Sequence, residues 1–146
     1  KVRQAVPMFD LIHSVDSKKL LDEIEKVDAK HDKVQDILLQ VNVAREASKS
    51  GMSVEEFPEV RDYAKTLPHV RVRGLMCMAP FFENPEEARP IFRVAYVLYE
   101  DMKGYFPEGD IQYLSMGMTH DFEVALQEGA NIVRVGTAIF GERVYN

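Results

Sequence analysis

Short apolar runs alternate along this chain with longer stretches in which apolar residues recur at every third or fourth position. Phe9 to Val15 predicts a first strand. Leu20, Leu21, Ile24 and Val27 then share one face of a helix capped by Asp16 or Ser17. Val34 to Val43 predicts a second strand whose central apolar run fits burial on both faces. A polar loop from Ala44 to Gly51 leads to Ser53-Val54-Glu55-Glu56, a capping box whose first and last side chains each satisfy the other's backbone N–H. Pro58 is accepted only in a first turn, so the helix restarts there and buries Phe57, Val60, Ala64 and Leu67.

Val70 to Met78 predicts the third strand. Asn84-Pro85-Glu86-Glu87 opens a helix with a cap, a proline at the first position and acids in the first turn. Pro90 bends or restarts it, and Phe92, Ala95, Tyr99 and Met102 form its inner stripe until Gly104. The fourth strand starts near Gln112, a helix from His120 to Glu128 turns Phe122, Ala125 and Leu126 inward, and Ile132 to Val135 is the fifth strand. Strict alternation of strand and helix defines an α/β fold with a parallel sheet. Periodicity leaves open whether the sheet is open or part of a barrel; in both, chemistry lies at the carboxyl ends of the strands. His13 to Asp16, Asn42 to Lys49, Met76 to Pro80, Ser115 to Thr119 and Gly136-Thr137 occupy those ends.

The last thirty-six residues carry the densest signal. Ile132, Arg134 and Gly136 share one strand face, and Val133 and Val135 the other. The valines suit the outer helices, which turns Arg134 into the barrel interior or sheet crevice. Arginine keeps its charge in a protein, so a buried one needs a partner: a carboxylate in a structural ion pair, or an acceptor on a bound ligand. Gly136 lets backbone approach a ligand, and Thr137 adds an amide and a hydroxyl. On the preceding strand Ser115 and Gly117 are expected on one face, with Thr119 placed to cap the next helix. Neighbouring strand ends that pool their amides at a helix start form a phosphate cup. Each charge-assisted bond to such an anion contributes about 1.5–3 kcal/mol.

Composition narrows the partners. The chain has 146 residues, enough for one domain with a sizeable core. Its formal net charge of -6 disfavours a nucleic-acid or anionic-membrane surface, so an anionic ligand has to be held locally. No apolar run approaches the ~20 residues of a membrane span. Cys77 is the single cysteine, which fits a reducing cytoplasm, and its apolar surroundings read as core. The histidines and carboxylates lack metal-ligand spacing, so no metal is expected. His13 reads as a hydrogen-bonded structural residue, His120 as solvated in a first helical turn, and His31 and His69 as loop residues. Met76, Met78, Met116 and Met118 read as core, with the capacity to floor a flat ring.

Leu114-Ser115-Met116-Gly117-Met118-Thr119 with Asp121-Phe122, and Val133-Arg134-Val135-Gly136-Thr137-Ala138-Ile139-Phe140-Gly141, resemble the pyridoxal phosphate homeostasis protein family, single-domain relatives of the alanine racemase barrel. Asp10 to Ser17, Gln40 to Val43 with Lys49-Ser50-Gly51, and Arg73 to Met76 extend the resemblance over essentially the whole chain; Thr119 stands where serine is usual. The resemblance implies a TIM-type (β/α) barrel that carries pyridoxal 5′-phosphate and serves vitamin B6 balance without turnover. Ser115, Gly136 and Thr137 match its phosphate contacts, and Arg134 matches the arginine facing the pyridine nitrogen.

The family's covalent lysine lies at the end of the first barrel strand, whereas residues 1–146 resemble only the C-terminal portion of the single barrel domain. Five parallel strands are expected where a closed barrel has eight, so this is a partial barrel lacking the first strands. Lys1 resembles a lysine of a later polar motif, and no lysine here directly follows an apolar strand run. The expectation is a cofactor-binding chain with phosphate and ring-nitrogen contacts, no catalytic residue of its own, and a missing N-terminal segment or second copy completing the barrel. The rival readings are a racemase or decarboxylase of the same superfamily, a sugar-phosphate barrel using Asp16 as base, and an interaction fragment that binds no ligand.

Overall fold

A computed structural model describes residues 11–44 and 51–134. Its strands are β1 (Leu11–Val15), β2 (Gln35–Val41), β3 (Val70–Cys77), β4 (Tyr113–Met118) and β5 (Ile132–Arg134). Between them lie α1 (Lys18–Lys30), α2 (Phe57–Ala64), α3 (Arg89–Met102) and α4 (Phe122–Gln127). The sheet order is β1-β2-β3-β4-β5, and every pairing is parallel. The strands form a curled half-barrel, as the α/β alternation predicts.

Two faces divide the buried side chains. Ile37, Leu39, Val41, Val72, Leu75, Leu114 and Met116 point outward and join Leu21, Ile24, Phe57, Val60, Phe92, Ala95, Tyr99 and Met102 from the helices in the main core. Leu11, Leu38, Met76 and Ile132 form a smaller inner cluster, with Met78 and Tyr113 against it. Below it on β2 and β3, Asp36 accepts hydrogen bonds from both Arg71 and Arg73, closing that end with charge. Gly74 makes room for the bulge there: its φ is +154° and a Cβ would fall 1.8 Å from the Tyr113 carbonyl oxygen.

The helix starts explain themselves. Ser17, not Asp16, caps α1 by accepting from the Leu20 amide at 3.1 Å. Asp16 instead accepts from the Gly51 amide at 3.0 Å, tying the end of β1 to the loop after β2. The capping box closes as expected, with Ser53 N–H donating to Glu56 and Glu56 N–H to Ser53 Oγ, both at 3.0 Å. Pro58 falls in the first turn of α2. Asn84 caps a 3₁₀ turn, Pro85–Ala88, and Pro90 then sits in the first turn of α3, so the proline restarts the helix.

The last helix is shorter than the spacing predicts. It begins at Phe122, so His120 lies in the preceding turn and Asp121 occupies the cap position. Val124 and Ala125 are its buried residues, while Leu126 is 47% exposed, so the buried face lies one residue earlier than the spacing predicts. His31 is the C-cap of α1, and His69 pairs with Glu25 at 2.7 Å. Phe9, Val135 and the Gly136-Thr137 end fall outside the described residues.

Candidate functional site

Four polar side chains converge at the carboxyl end of the inner face. His13 extends from β1, Gln40 from β2, Ser115 from β4 and Arg134 from β5, and all four are buried. Strand alternation puts them there: Gln40 follows Leu38 by two, and Arg134 follows Ile132 by two, both from inner-cluster residues.

Arg134 is 9% exposed, and its guanidinium donates to Ser115 Oγ at 2.6 Å and to the Cys77 carbonyl at 3.5 Å. His13 Nδ1 lies 3.2 Å from the same Ser115 oxygen. No carboxylate among the described residues is within ion-pair distance of Arg134, so the structural ion pair that the sequence left open is absent there. Burial lowers the arginine's affinity for its proton, and the neighbouring Cys77 and Asp121 oppose that shift. A desolvated cation that touches a hydroxyl and a carbonyl still has donor capacity for an anionic or lone-pair acceptor. Cys77, fully buried, has its thiol pushed up to about 12 by desolvation, which makes it inert core.

The turn after β4 differs from the expected one. Asp121 is 2% exposed, and its Oδ1 accepts from the Met118 amide at 2.7 Å, so an Asx-type turn shapes residues 118–121. Thr119 lies within that turn and does not cap α4. Gly117 does not share the inner face with Ser115. Its φ is +105°, and a Cβ would meet Ala125 Cβ at 2.7 Å and Val133 Cγ1 at 3.4 Å, on the outer side. The β4–β5 register shifts between Ser115 and Met118, and this irregularity breaks the alternation on which the shared face rested. Gly117 therefore brings β4 close to α4. His120 lies against the exposed Phe81 ring, 4.4 Å between centroids, and is itself exposed, as the sequence suggests.

Gln40 went unnoticed at sequence level because it ends a run that reads as buried on both sides. It is 3% exposed, and its side-chain amide makes no hydrogen bond among the described residues. Its phase with Leu38, two residues earlier, was the available signal. Among the described residues no group of three His, Cys, Asp or Glu side chains is arranged to hold a metal. No described helix is long and apolar enough to cross a membrane.

A parallel half-barrel of alternating strands and helices, with a buried arginine–serine pair at its strand ends, defines the class as a TIM-type (β/α) barrel protein. The alanine racemase N-terminal domain description matches residues 1–144, and the chain belongs to that family. It is 47% identical over 145 residues to the pyridoxal phosphate homeostasis protein of Aquifex aeolicus, covering 99% of this chain and 63% of that relative. PipY of Synechococcus elongatus, solved without PLP, superposes with a TM-score of 0.87 at 33% identity, over 97% of this chain and 66% of that one. With PLP bound, the same protein gives 0.78 at 32% identity, over 97% and 65%. The chain thus spans under two thirds of the relatives' length, and the resemblance to pyridoxal phosphate homeostasis proteins is borne out by relatives of that name.

Proposed function

We propose that this chain supplies the phosphate and ring-nitrogen contacts of a pyridoxal 5′-phosphate site in a protein of vitamin B6 homeostasis. The observation that carries the reading is Arg134: buried, free of any carboxylate partner among the described residues, and laid on Ser115 at the strand ends. The donor set suits this ligand, since the arginine can donate to an unprotonated pyridine nitrogen and Ser115 can turn toward the phosphate. Ser115, Thr119, Gly136 and Thr137 are the proposed phosphate contacts. Gly117 enters through the backbone course it gives β4, because its missing side chain faces α4.

When bound, the cofactor supplies an aldehyde and an electron-withdrawing ring. A permanent cation at the ring nitrogen keeps that nitrogen unprotonated and weakens the ring as an electron sink, which favours holding and delivering the cofactor over amino-acid turnover. His13 holds the Ser115 hydroxyl from the other side, fixing the atom on which Arg134 rests. A cytoplasmic setting is part of the proposal and rests on the single cysteine.

The test is a visible absorption titration of the full-length protein with pyridoxal 5′-phosphate, repeated on Arg134→Met. A band that forms in the native protein and is displaced in wavelength by the substitution supports the reading. An identical spectrum removes Arg134 from the ring nitrogen, and amino-acid turnover by the loaded protein replaces the carrier with an enzyme.

A further inference from the structure

One polar side chain on the inner face has no part in the arginine–serine pair. Gln40 pairs in register with Met76, and Met76 with Ser115, so three inward-facing residues stand in a row across β2, β3 and β4. The ends of that row are about 9–10 Å apart by two strand spacings. Met76 lies between them, 6% exposed, within the inner apolar cluster. Thioethers pack well against aromatic rings, so this middle position suits the face of a flat ligand.

The Gln40 amide has two N–H donors and one carbonyl, the residue is 3% exposed, and no side-chain hydrogen bond joins it to another described residue. Its nitrogen and oxygen are not among the sealed, unpartnered side-chain atoms of the described residues, so the amide is open to a group seated on the inner face. The inner face at this level is where Arg134 and Ser115 meet, and a ligand seated there spans the row.

Resting on the reading of the site as one for pyridoxal 5′-phosphate, we propose that Gln40 is a specificity-determining contact that reads the ring hydroxyl. With the ring nitrogen at Arg134 and the phosphate toward the ends of β4 and β5, the opposite ring edge turns toward β3 and β2. That edge carries the hydroxyl, which ionises readily and accepts from the Gln40 N–H. Met76 packs under the ring between the two contacts. Pyridine phosphates without this hydroxyl gain nothing from Gln40.

The experiment is calorimetric titration of the full-length protein and its Gln40→Met variant with pyridoxal 5′-phosphate and with 3-deoxypyridoxal 5′-phosphate. The expected result is an affinity loss of about tenfold for the hydroxylated ligand in the variant, as for one lost charge-assisted hydrogen bond. The 3-deoxy ligand binds both proteins alike. An equal loss for both ligands, or no loss for either, overturns the role of Gln40 and leaves the cofactor site standing. Failure of the native protein to bind pyridoxal 5′-phosphate overturns the site itself. Gln40→Glu keeps the size and sets a carboxylate against the hydroxyl, so it should lower affinity for the hydroxylated ligand selectively. Unfolding of both unliganded variants would assign Gln40 to packing and overturn the proposal.

Discussion

Arg134 on β5 and Ser115 on β4 share a 2.6 Å hydrogen bond, although the strand register sets Ser115 opposite Ile132 and Arg134 opposite Met118. The arginine therefore reaches back along the neighbouring strand to rest on the serine hydroxyl. This places a full positive charge against the inner apolar cluster with only neutral partners among the described residues. Such an arrangement costs stability, because among the described residues Asp121 only partly offsets the desolvation of the guanidinium and forms no ion pair with it. A charge kept at a loss to the fold is consistent with the ligand site proposed above.

The first prediction follows from that imbalance. Arg134→Met fills the same space without the charge and should leave the unliganded protein as stable or more stable, by up to about 1–2 kcal/mol. The shift in proton affinity is downward from a value far above neutrality, so the cost of the charge is constant across the working pH range. Affinity for pyridoxal 5′-phosphate should fall at least tenfold in the same variant. Thermal unfolding and ligand titration on one preparation check both, and a large destabilisation would show that Arg134 is structural.

Asp28 yields a pH dependence. It is fully buried on the inner stripe of α1, neither carboxylate oxygen has a hydrogen-bond partner among the described residues, and desolvation raises its pKa to about 6. Lys33, His69 and His31 oppose that shift, and Glu25 adds to it. A carboxylate whose folded value lies above its unfolded 3.8 binds more protons when folded, so its contribution to stability falls as pH rises from about 4 through about 6. Asp28→Asn should remove this slope and stabilise the protein by roughly 1–3 kcal/mol at pH 7. Unfolding free energy measured at pH 4.5 and pH 7 for both proteins decides it, and an unchanged slope would place the titration elsewhere.

Much of this fold was legible because strand and helix carry different periods. Ile37-Leu38-Leu39 reads as a strand segment buried on both faces, and it is. Phe92, Ala95, Tyr99 and Met102 hold the stripe that their spacing predicts. Arg134 was readable as inward-facing because Val133 packs on the outer core. The misreadings share a cause: alternation assumes a regular strand. Gly117 violates it with a left-handed φ, and that conformation follows from the approach of α4, which no local pattern records. Asp121 bonds back to Met118 rather than forward into the helix, which delayed α4 past Thr119 and His120. Asp28 follows Leu21 and Ile24 on the buried stripe, so its burial was implicit in the spacing.

Gly117 should tolerate no side chain. Alanine there combines a left-handed backbone with a Cβ set 2.7 Å from Ala125 Cβ. Backbone strain of about 1–2 kcal/mol and overpacking of about 1–3 kcal/mol act together, so Gly117→Ala should lose roughly 2–5 kcal/mol. Denaturant unfolding measures the loss. Ala125→Gly in the same chain should recover part of it, since it removes the methyl on the opposing side; a loss untouched by that second change would lie in the backbone alone.

Asp121 connects the turn geometry to ligand binding. Its Oδ1 fixes the Met118 amide, and its burial leaves the other oxygen 3.8 Å from His120 Nε2. An Asp this close to a proposed phosphate site is electrostatically unfavourable for the ligand, so its value must lie in the shape it gives residues 118–121. Asp121→Asn keeps an acceptor for the Met118 amide and removes the charge, whereas Asp121→Ala removes both. If shape is what matters, Asn should preserve or improve phosphate affinity. Ala should weaken it and cost the fold about 1–3 kcal/mol for the orphaned amide. Titration of the full-length variants with pyridoxal 5′-phosphate separates the two. Equal weakening by Asn and Ala would mean that the negative charge itself is needed.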